Sequence, residues 1–267
     1  MESRDWSLFS DLSFMARYQI ILAYDGTGFL GSQRQASSRT AQSELEKALR
    51  KLGWHGKTIY LAGRTDTGTH ASGQVAAFDL DWGHGLEKLQ DALNAHLPRD
   101  MAVRKVNVAA DAFHPRFDAS SRCYRYRLFC ASVRDPLRER YAWRVWPAVA
   151  DLAPLASIWL GTHDFAAFGS SPRSGGSTFR TVMSANWQPR GDEWTFEIQA
   201  DAFLYRMVRR LVYSQVAVGQ GRLSAETLAR ALDNGSDLRK DAQAQIPASL
   251  APACGLTLVE VRYDNLV

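Results

Sequence analysis

The order in which strand-like and helix-like segments follow one another constrains this 267-residue chain most. Residues 18–24 (YQIILAY) form an apolar run that ends in the turn residues Asp25-Gly26-Thr27-Gly28, the pattern of a buried strand. A helix is expected over 41–52, because Thr40 can cap it and Leu45, Ala48, Leu49 and Leu52 recur on one face. Residues 58–62 and 74–80 read as strands around the polar loop 63–73. A second helix over 86–97 is stopped by Pro98, and 102–109 alternates like a strand. The resulting order, β-α-β-β-α-β, is the split βαβ arrangement.

A similar order returns in the second half. Segments 122–130 and 141–146 read as strands, 152–160 as a helix, and 178–187 and 193–200 as strands. A helix over 203–219, a shorter one over 225–232 and a closing strand over 255–263 (GLTLVEVRY) complete it. The chain is therefore expected to be α+β, built from two similar split-βαβ, ferredoxin-like halves over 17–118 and 119–267. The repeat lies in element order and not in residue identity. The Gly/Ser-rich 169–177 and the polar 234–253 read as mobile loops, the kind that often lie near a ligand.

Residues 1–16 read as an N-terminal extension. Its Glu2, Asp5 and Asp11 against one Arg4 give the wrong charge for a secretory or transit signal. No apolar run approaches the roughly 18 residues of a membrane span. Three cysteines without a CxxC pair point to reduced thiols in a cytoplasmic protein.

The net charge of +4 is concentrated. Between Arg116 and Arg144 eight arginines face Asp118, Asp135 and Glu139, leaving that stretch at +5, with Tyr124, Tyr126, Phe129 and Tyr141 interleaved. Arginine with aromatics suits phosphate contact and base stacking, so an RNA partner is expected. The competing reading is a solvated strand face in a chain that prefers arginine to lysine.

Chemistry is expected in the loop 63–70 (GRTDTGTH). Glycines bracket an arginine and a carboxylate, Arg64 and Asp66, and a tight turn presents such side chains outward. His70 lacks partners at metal-ligand spacing and reads as a polar loop histidine. Neither the GxSxG elbow nor the GxxxxGK[ST] phosphate loop occurs. On the expected 203–219 helix, Leu204, Met207, Val208, Leu211 and Val212 form an apolar stripe at about 100° per residue. Tyr205 and Val216 widen one edge, and Arg209 falls beside that edge. Arg206 points away, and Arg210 lies off the far margin near Ala217, both placed to meet solvent or phosphate. An arginine at a half-buried edge calls for a carboxylate partner.

Five motifs in sequence resemble the tRNA pseudouridine synthase A family. GRTDTGTHASGQVAAF is similar to its GRTDAGVH loop and GQV strand, and Tyr124 in Arg122-Cys123-Tyr124-Arg125-Tyr126 matches its tyrosine motif. Phe203-Leu204-Tyr205-Arg206-Met207-Val208-Arg209 matches its FLxxMVR segment. Residues 24–35 resemble its opening loop and Gly255-Leu256-Thr257-Leu258 its closing strand. Ser32 stands where the family usually has Trp, Thr67 where it has Ala, and Asp201 where it has a small or amide residue.

The resemblance implies a mixed sheet joining the two halves, with the active cleft between them. It implies isomerisation of uridine to pseudouridine at positions 38, 39 and 40 of the tRNA anticodon arm, with no cofactor, by a homodimer that binds tRNA across both subunits. Asp66 would be the catalytic carboxylate, acting at C1′, at C6 or on the ribose 2′ proton. Arg209 would pair with it and Tyr124 would stack on the uracil. Arg64 would fill the space of the flipped nucleotide, and Arg206 and Arg210 would bind the RNA. Two other classes fit parts of the sequence. A non-catalytic RNA-binding protein explains the basic stretch. A glycoside hydrolase also uses an Asp at C1′, but needs a second carboxylate, for which Asp79 or Asp81 would have to serve.

Overall fold

Alternation at period two builds the first strand, β1 (Met15–Tyr24), in which Tyr18, Ile20, Leu22 and Tyr24 are buried. The computed structural model describes residues 15–171, 174–232 and 238–264; the expected extension over 1–16 lies almost wholly outside them. Helix α1 (Ala41–Lys51) begins in a reciprocal cap. Thr40 Oγ1 accepts from Ser43 N, and Ser43 Oγ accepts from Thr40 N. Its buried face is Ala41, Leu45, Ala48 and Leu49. There follow β2 (Tyr60–Leu61), β3 (His70–Asp81), α2 (Leu86–His96), which stops before Pro98, and β4 (Met101–Val108).

The second half contains β5 (Ser121–Cys130), β6 (Trp143–Val145), β7 (Gly161–Asp164), β8 (Phe179–Arg190), β9 (Glu193–Ala200) and α3 (Met207–Gly219). It continues with α4 (Ala225–Leu232), α5 (Leu238–Gln245) and β10 (Leu256–Arg262). Four expectations change. The 152–160 helix is a 3₁₀ turn, Ala153–Trp159, with Pro154 in its first turn. Strand β7 is a four-residue edge strand too short to show a period. The polar 234–253 is not all loop, since α5 buries Ala242 and Ile246 follows it into the core at i+4 spacing. Finally, α3 starts at Met207, not 203. Tyr205 N donates to Ser170 O in an isolated bridge, and Arg206 sits at φ +62°, a left-handed conformation that ends any helix running into it.

The sheet order is β4-β1-β3-β10-β5-β9-β8-β7, with β2 on β3 and β6 on β5. Within it the same antiparallel unit occurs twice, as β4-β1-β3-β2 and as β10-β5-β9-β8. The repeat expected from element order is thus a repeat of pairing. The halves join through one parallel contact, β10 beside β3, where Thr257 faces His70 and Leu258 faces Ala71. A Cβ at Gly73 would lie 2.2 Å from the Val259 carbonyl oxygen, so this close approach requires glycine. β2 pairs with the middle of β3, at Ala76 and Ala77. The chain between β2 and β3 therefore turns back just where the two halves meet. One continuous core, including Leu22, Leu49, Phe196 and Leu211, runs through both halves.

Candidate active site

The loop that follows β2 is held from beneath by the opening loop, which leaves its polar side chains to face outward. Thr65 N donates to Ser32 Oγ (2.8 Å), Ser32 N donates to Thr65 O (3.1 Å), and the Tyr24 and Thr65 hydroxyls bond at 2.9 Å. Gln74 Nε2 donates to Gly63 O. A Cβ at Gly26 would lie 2.1 Å from Thr69 O, so only glycine lets the two loops touch. Ser32, the departure from the family's Trp, is fully buried and serves as a backbone brace. His70 is a strut rather than a free loop residue. Its Nδ1 accepts from Gly26 N, its Nε2 is 3.1 Å from Cys254 O, and burial pushes its pKa down, favouring the neutral ring. Near it, burial opposes charge on Asp25, yet hydrogen bonds from Thr27, Arg140 and Tyr141 outweigh it and hold the carboxyl well below the usual range.

Asp66 projects from this loop into a cleft of about 840 Å³ between the halves. Its Oδ2 accepts from Arg209 Nη1 at 2.8 Å, and the two side chains are only 20% and 15% exposed. Arg209 reaches from the first turn of α3. Its Nε donates to Ala251 O (2.7 Å), while Ala251 N donates to Arg209 O (3.1 Å), so the segment leading into β10 fixes the guanidinium from behind. Tyr124, on β5, lines the same cleft, its ring edge-on to Phe203 at 5.0 Å and 85°. Burial pushes its phenol well up, Tyr24 and Asp66 add to this, and Arg122 partly opposes it. The phenol therefore keeps its proton at neutral pH in the resting site.

Arg64 and Arg206 are exposed in the cleft lining and form no ion pair among the described residues. Arg206 lies over the Tyr205 ring at 4.6 Å. Arg210, expected to meet solvent or phosphate, is instead half-buried with Nη1 towards Ala167 O, and it does not line the cleft. The basic stretch also differs from the expectation. Six of its eight arginines (125, 127, 134, 138, 140 and 144) are ion-paired, with Glu197, Glu193, Glu139, Asp192, Asp25 and Glu139. Only Arg116 and Arg122 from that stretch line the cleft. Arg122 donates to the carbonyls of Ala62, Arg116, Ala119 and Asp201, stapling three segments of the wall. Neither the Ala251 carbonyl nor the Phe203 ring behind the tyrosine was distinguishable by residue type alone. Among the described residues no group of His, Cys, Asp and Glu is placed to hold a metal, and no helix is long and apolar enough to cross a membrane.

The cleft thus brings five arginines around Asp66, its sole carboxylate among the described residues. A carboxylate held beside a guanidinium and a protonated phenol, in a basic cleft between the two pseudo-repeated halves of one sheet, defines an enzyme site rather than a passive binding face. The sequence model of the tRNA pseudouridine synthase family matches residues 20–118 and 155–264. The chain is 40% identical to tRNA pseudouridine synthase A of Chloroflexus aurantiacus over 259 residues, covering 93% of this chain and 89% of that one. It is 37% identical to tRNA pseudouridine synthase A of Geobacter sp. strain M21 over 254 residues, 94% of this chain and 100% of that one. The protein of that name from Listeria welshimeri is 38% identical over 256 residues, with the same coverage. The chain belongs to the tRNA pseudouridine synthase family and is an isomerase.

Proposed function

We propose that the chain isomerises uridine to pseudouridine at positions 38, 39 and 40 of the tRNA anticodon arm, with Asp66 as the reacting carboxylate. The observation that carries this reading is the Asp66–Arg209 pair at 2.8 Å in a cleft also lined by Tyr124. In the reaction the N1–C1′ bond of uridine breaks, the uracil turns, and a C5–C1′ bond forms. The C5 hydrogen leaves as a proton and N1 gains one, so the product is an isomer and no oxidant or phosphate donor is consumed. A carboxylate is nucleophilic or basic enough to act on the sugar or the ring and still able to leave. Arg209 orients it through the bond to Oδ2, and Tyr124 packs on the uracil, its hydroxyl assisting proton transfer at C5. The target must leave the base stack to reach Asp66, and Arg64, exposed beside it, occupies the vacated space. The working unit is a cytoplasmic homodimer that binds tRNA across both subunits, and each chain divides into its two halves near residue 118.

The glycoside hydrolase reading loses support from the same geometry. Asp79 pairs with Arg17 at 2.7 Å on the sheet, and neither Asp79 nor Asp81 lines the cleft. Release of tritium from C5-labelled uridine in tRNA tests the proposal. Wild-type protein should release label from substrates with uridine at 38, 39 or 40; absence of release from all three sinks the reading.

Salt dependence tests the RNA surface. With six arginines already neutralised by carboxylates, phosphate contact falls chiefly to Arg64, Arg116 and Arg206. Three such contacts predict that log affinity for tRNA falls by roughly 2 to 3 units per decade of salt. A slope near zero would show these arginines to be ordinary surface charge, and one several units steeper would mean that the paired arginines open to bind phosphate.

A further inference from the structure

The cleft is large for a single target base. At about 840 Å³ it lies near the top of the range for sites that enclose a whole drug-sized ligand. Part of its lining comes from the turn between β4 and β5, at Arg116 and Phe117, to which the catalytic arrangement assigns nothing. Phe117 is 69% exposed. A lone exposed phenylalanine is ordinary, but three features set this one apart.

First, its ring is backed by others. Phe117 packs against His114 with the rings tilted at 31° and 4.3 Å apart, and His114 in turn lies 4.8 Å from the ring of Tyr60, itself 43% exposed. Second, the turn is rigidly held. Arg116 N donates to His114 Nδ1, His114 N donates to the Asp118 carboxylate, and Asp118 N donates to His114 O. The turn is also tied to its surroundings: Tyr263 donates to Pro115 O, and Arg122 to Arg116 O. A ring so fixed loses little conformational freedom when something stacks on it. Third, the turn presents a cation that is not ion-paired among the described residues. Arg116 is exposed and has its guanidinium 5.9 Å from the Phe117 ring centre. The other strongly exposed ring in the lining, Tyr205, is already covered by Arg206 at 4.6 Å.

We infer that Phe117 is a stacking station for an unpaired nucleobase adjacent to the target uridine, with Arg116 taking the neighbouring phosphate. The inference rests on the reading of the cleft as a tRNA-modifying site. Flipping the target leaves its neighbour without a stacking partner on that side, and an exposed ring in the same cleft supplies one. Stacking is indifferent to base identity, so the station accepts whatever nucleotide the tRNA presents there.

The test pairs kinetics with a direct probe of stacking. Phe117→Leu, which keeps an apolar side chain but removes the π-face, should raise KM for tRNA by about tenfold with kcat at saturating tRNA near wild type. Phe117→Trp should retain the wild-type KM. In an anticodon stem-loop carrying 2-aminopurine next to the target uridine, wild-type protein and Phe117→Trp should quench the probe, and Phe117→Leu should not. Unchanged KM and quenching in Phe117→Leu overturn the inference. So does a fall in kcat with both variants, which would make the ring part of the cleft's framework. Dissociation of an oligomer with unchanged quenching would assign the ring to a protein contact and overturn it too. The function reading fails separately, by absence of tritium release from the wild-type enzyme.

Discussion

Asp66→Asn is expected to abolish isomerisation, with turnover falling on the order of 10⁴-fold or more, and to leave tRNA affinity nearly intact. The substitution preserves shape. Asparagine's amide oxygen can still accept from Arg209 Nη1, and the bonds that position the loop run through Ser32, Tyr24 and Gln74, not through the carboxylate. What disappears is the charge and the nucleophilic or basic oxygen. No other carboxylate lines the cleft among the described residues, so none is placed to substitute. Removing one negative charge from among five arginines does not weaken attraction for a polyanion, and binding should be equal or slightly tighter. Single-turnover tritium release and equilibrium tRNA binding on the purified variant decide the matter. A variant retaining more than a small fraction of wild-type turnover would show that the chemistry lies elsewhere.

Much of the fold was legible because its signals are local. The cap at Thr40, the stop at Pro98 and the period-two burial of β1 each depend on residues a few positions apart. Misreadings occur where the deciding contact is distant. The helix α3 was expected to begin at 203 because the apolar spacing continues back to Leu204. The backbone is instead diverted by Tyr205 pairing with Ser170, more than thirty positions upstream. Helix α5 carries a weak signal, since among its described side chains only Ala242 is buried, with Ile246 just beyond it.

The candidate site divides in the same way. The loop around Asp66 stands out because it is a glycine-bracketed polar segment between two strands. Arg209 was placed beside the apolar edge from helical phase. That placement survives the shorter helix, because the phase relative to Met207, Val208, Leu211 and Val212 does not depend on where the helix starts. Arg206 lies ahead of the first turn, where a wheel carries no information. The arginine-rich stretch was read as a phosphate surface, but Arg125 faces Glu197 across the β5–β9 ladder, and Arg127 and Arg138 reach Glu193 and Asp192 at the far end of β9. Those pairings depend on strand register, which composition does not reveal. Phe117 carries no sequence signal for a related reason: the ring contacts that set it apart run through His114 to Tyr60, on β2, far away in sequence.

Arg209→Ala is expected to lower turnover about 100-fold or more and to cost stability, whereas its two neighbours should behave otherwise. The guanidinium makes two bonds at once, Nη1 to Asp66 and Nε to Ala251 O, so alanine removes the carboxylate's cation and frees the segment leading into β10. Loss of a positioned, charge-assisted donor at a reacting centre typically costs 10²–10³ in rate, roughly 3–4 kcal/mol. With both side chains partly exposed, breaking the pair should cost about 1–3 kcal/mol of folding stability, below the range for fully buried pairs. Arg209→Lys separates the roles, because an ammonium keeps the charge but cannot span Asp66 and the Ala251 carbonyl with a planar fork. Lysine should recover part of the lost stability and bind tRNA normally, with turnover still well below wild type. Arg206→Ala should raise KM with kcat largely kept, since that side chain is exposed in the cleft and touches neither Asp66 nor Tyr124. Arg210→Ala should leave both constants near wild type, since its guanidinium turns towards Ala167 and away from the cleft. Thermal melts, single-turnover rates and tRNA affinities for the four variants test the set. If Arg206 or Arg210 proved critical for turnover while Arg209→Ala changed only KM, the pairing at 2.8 Å would be structural and the cation serving Asp66 would have to come from another wall of the cleft.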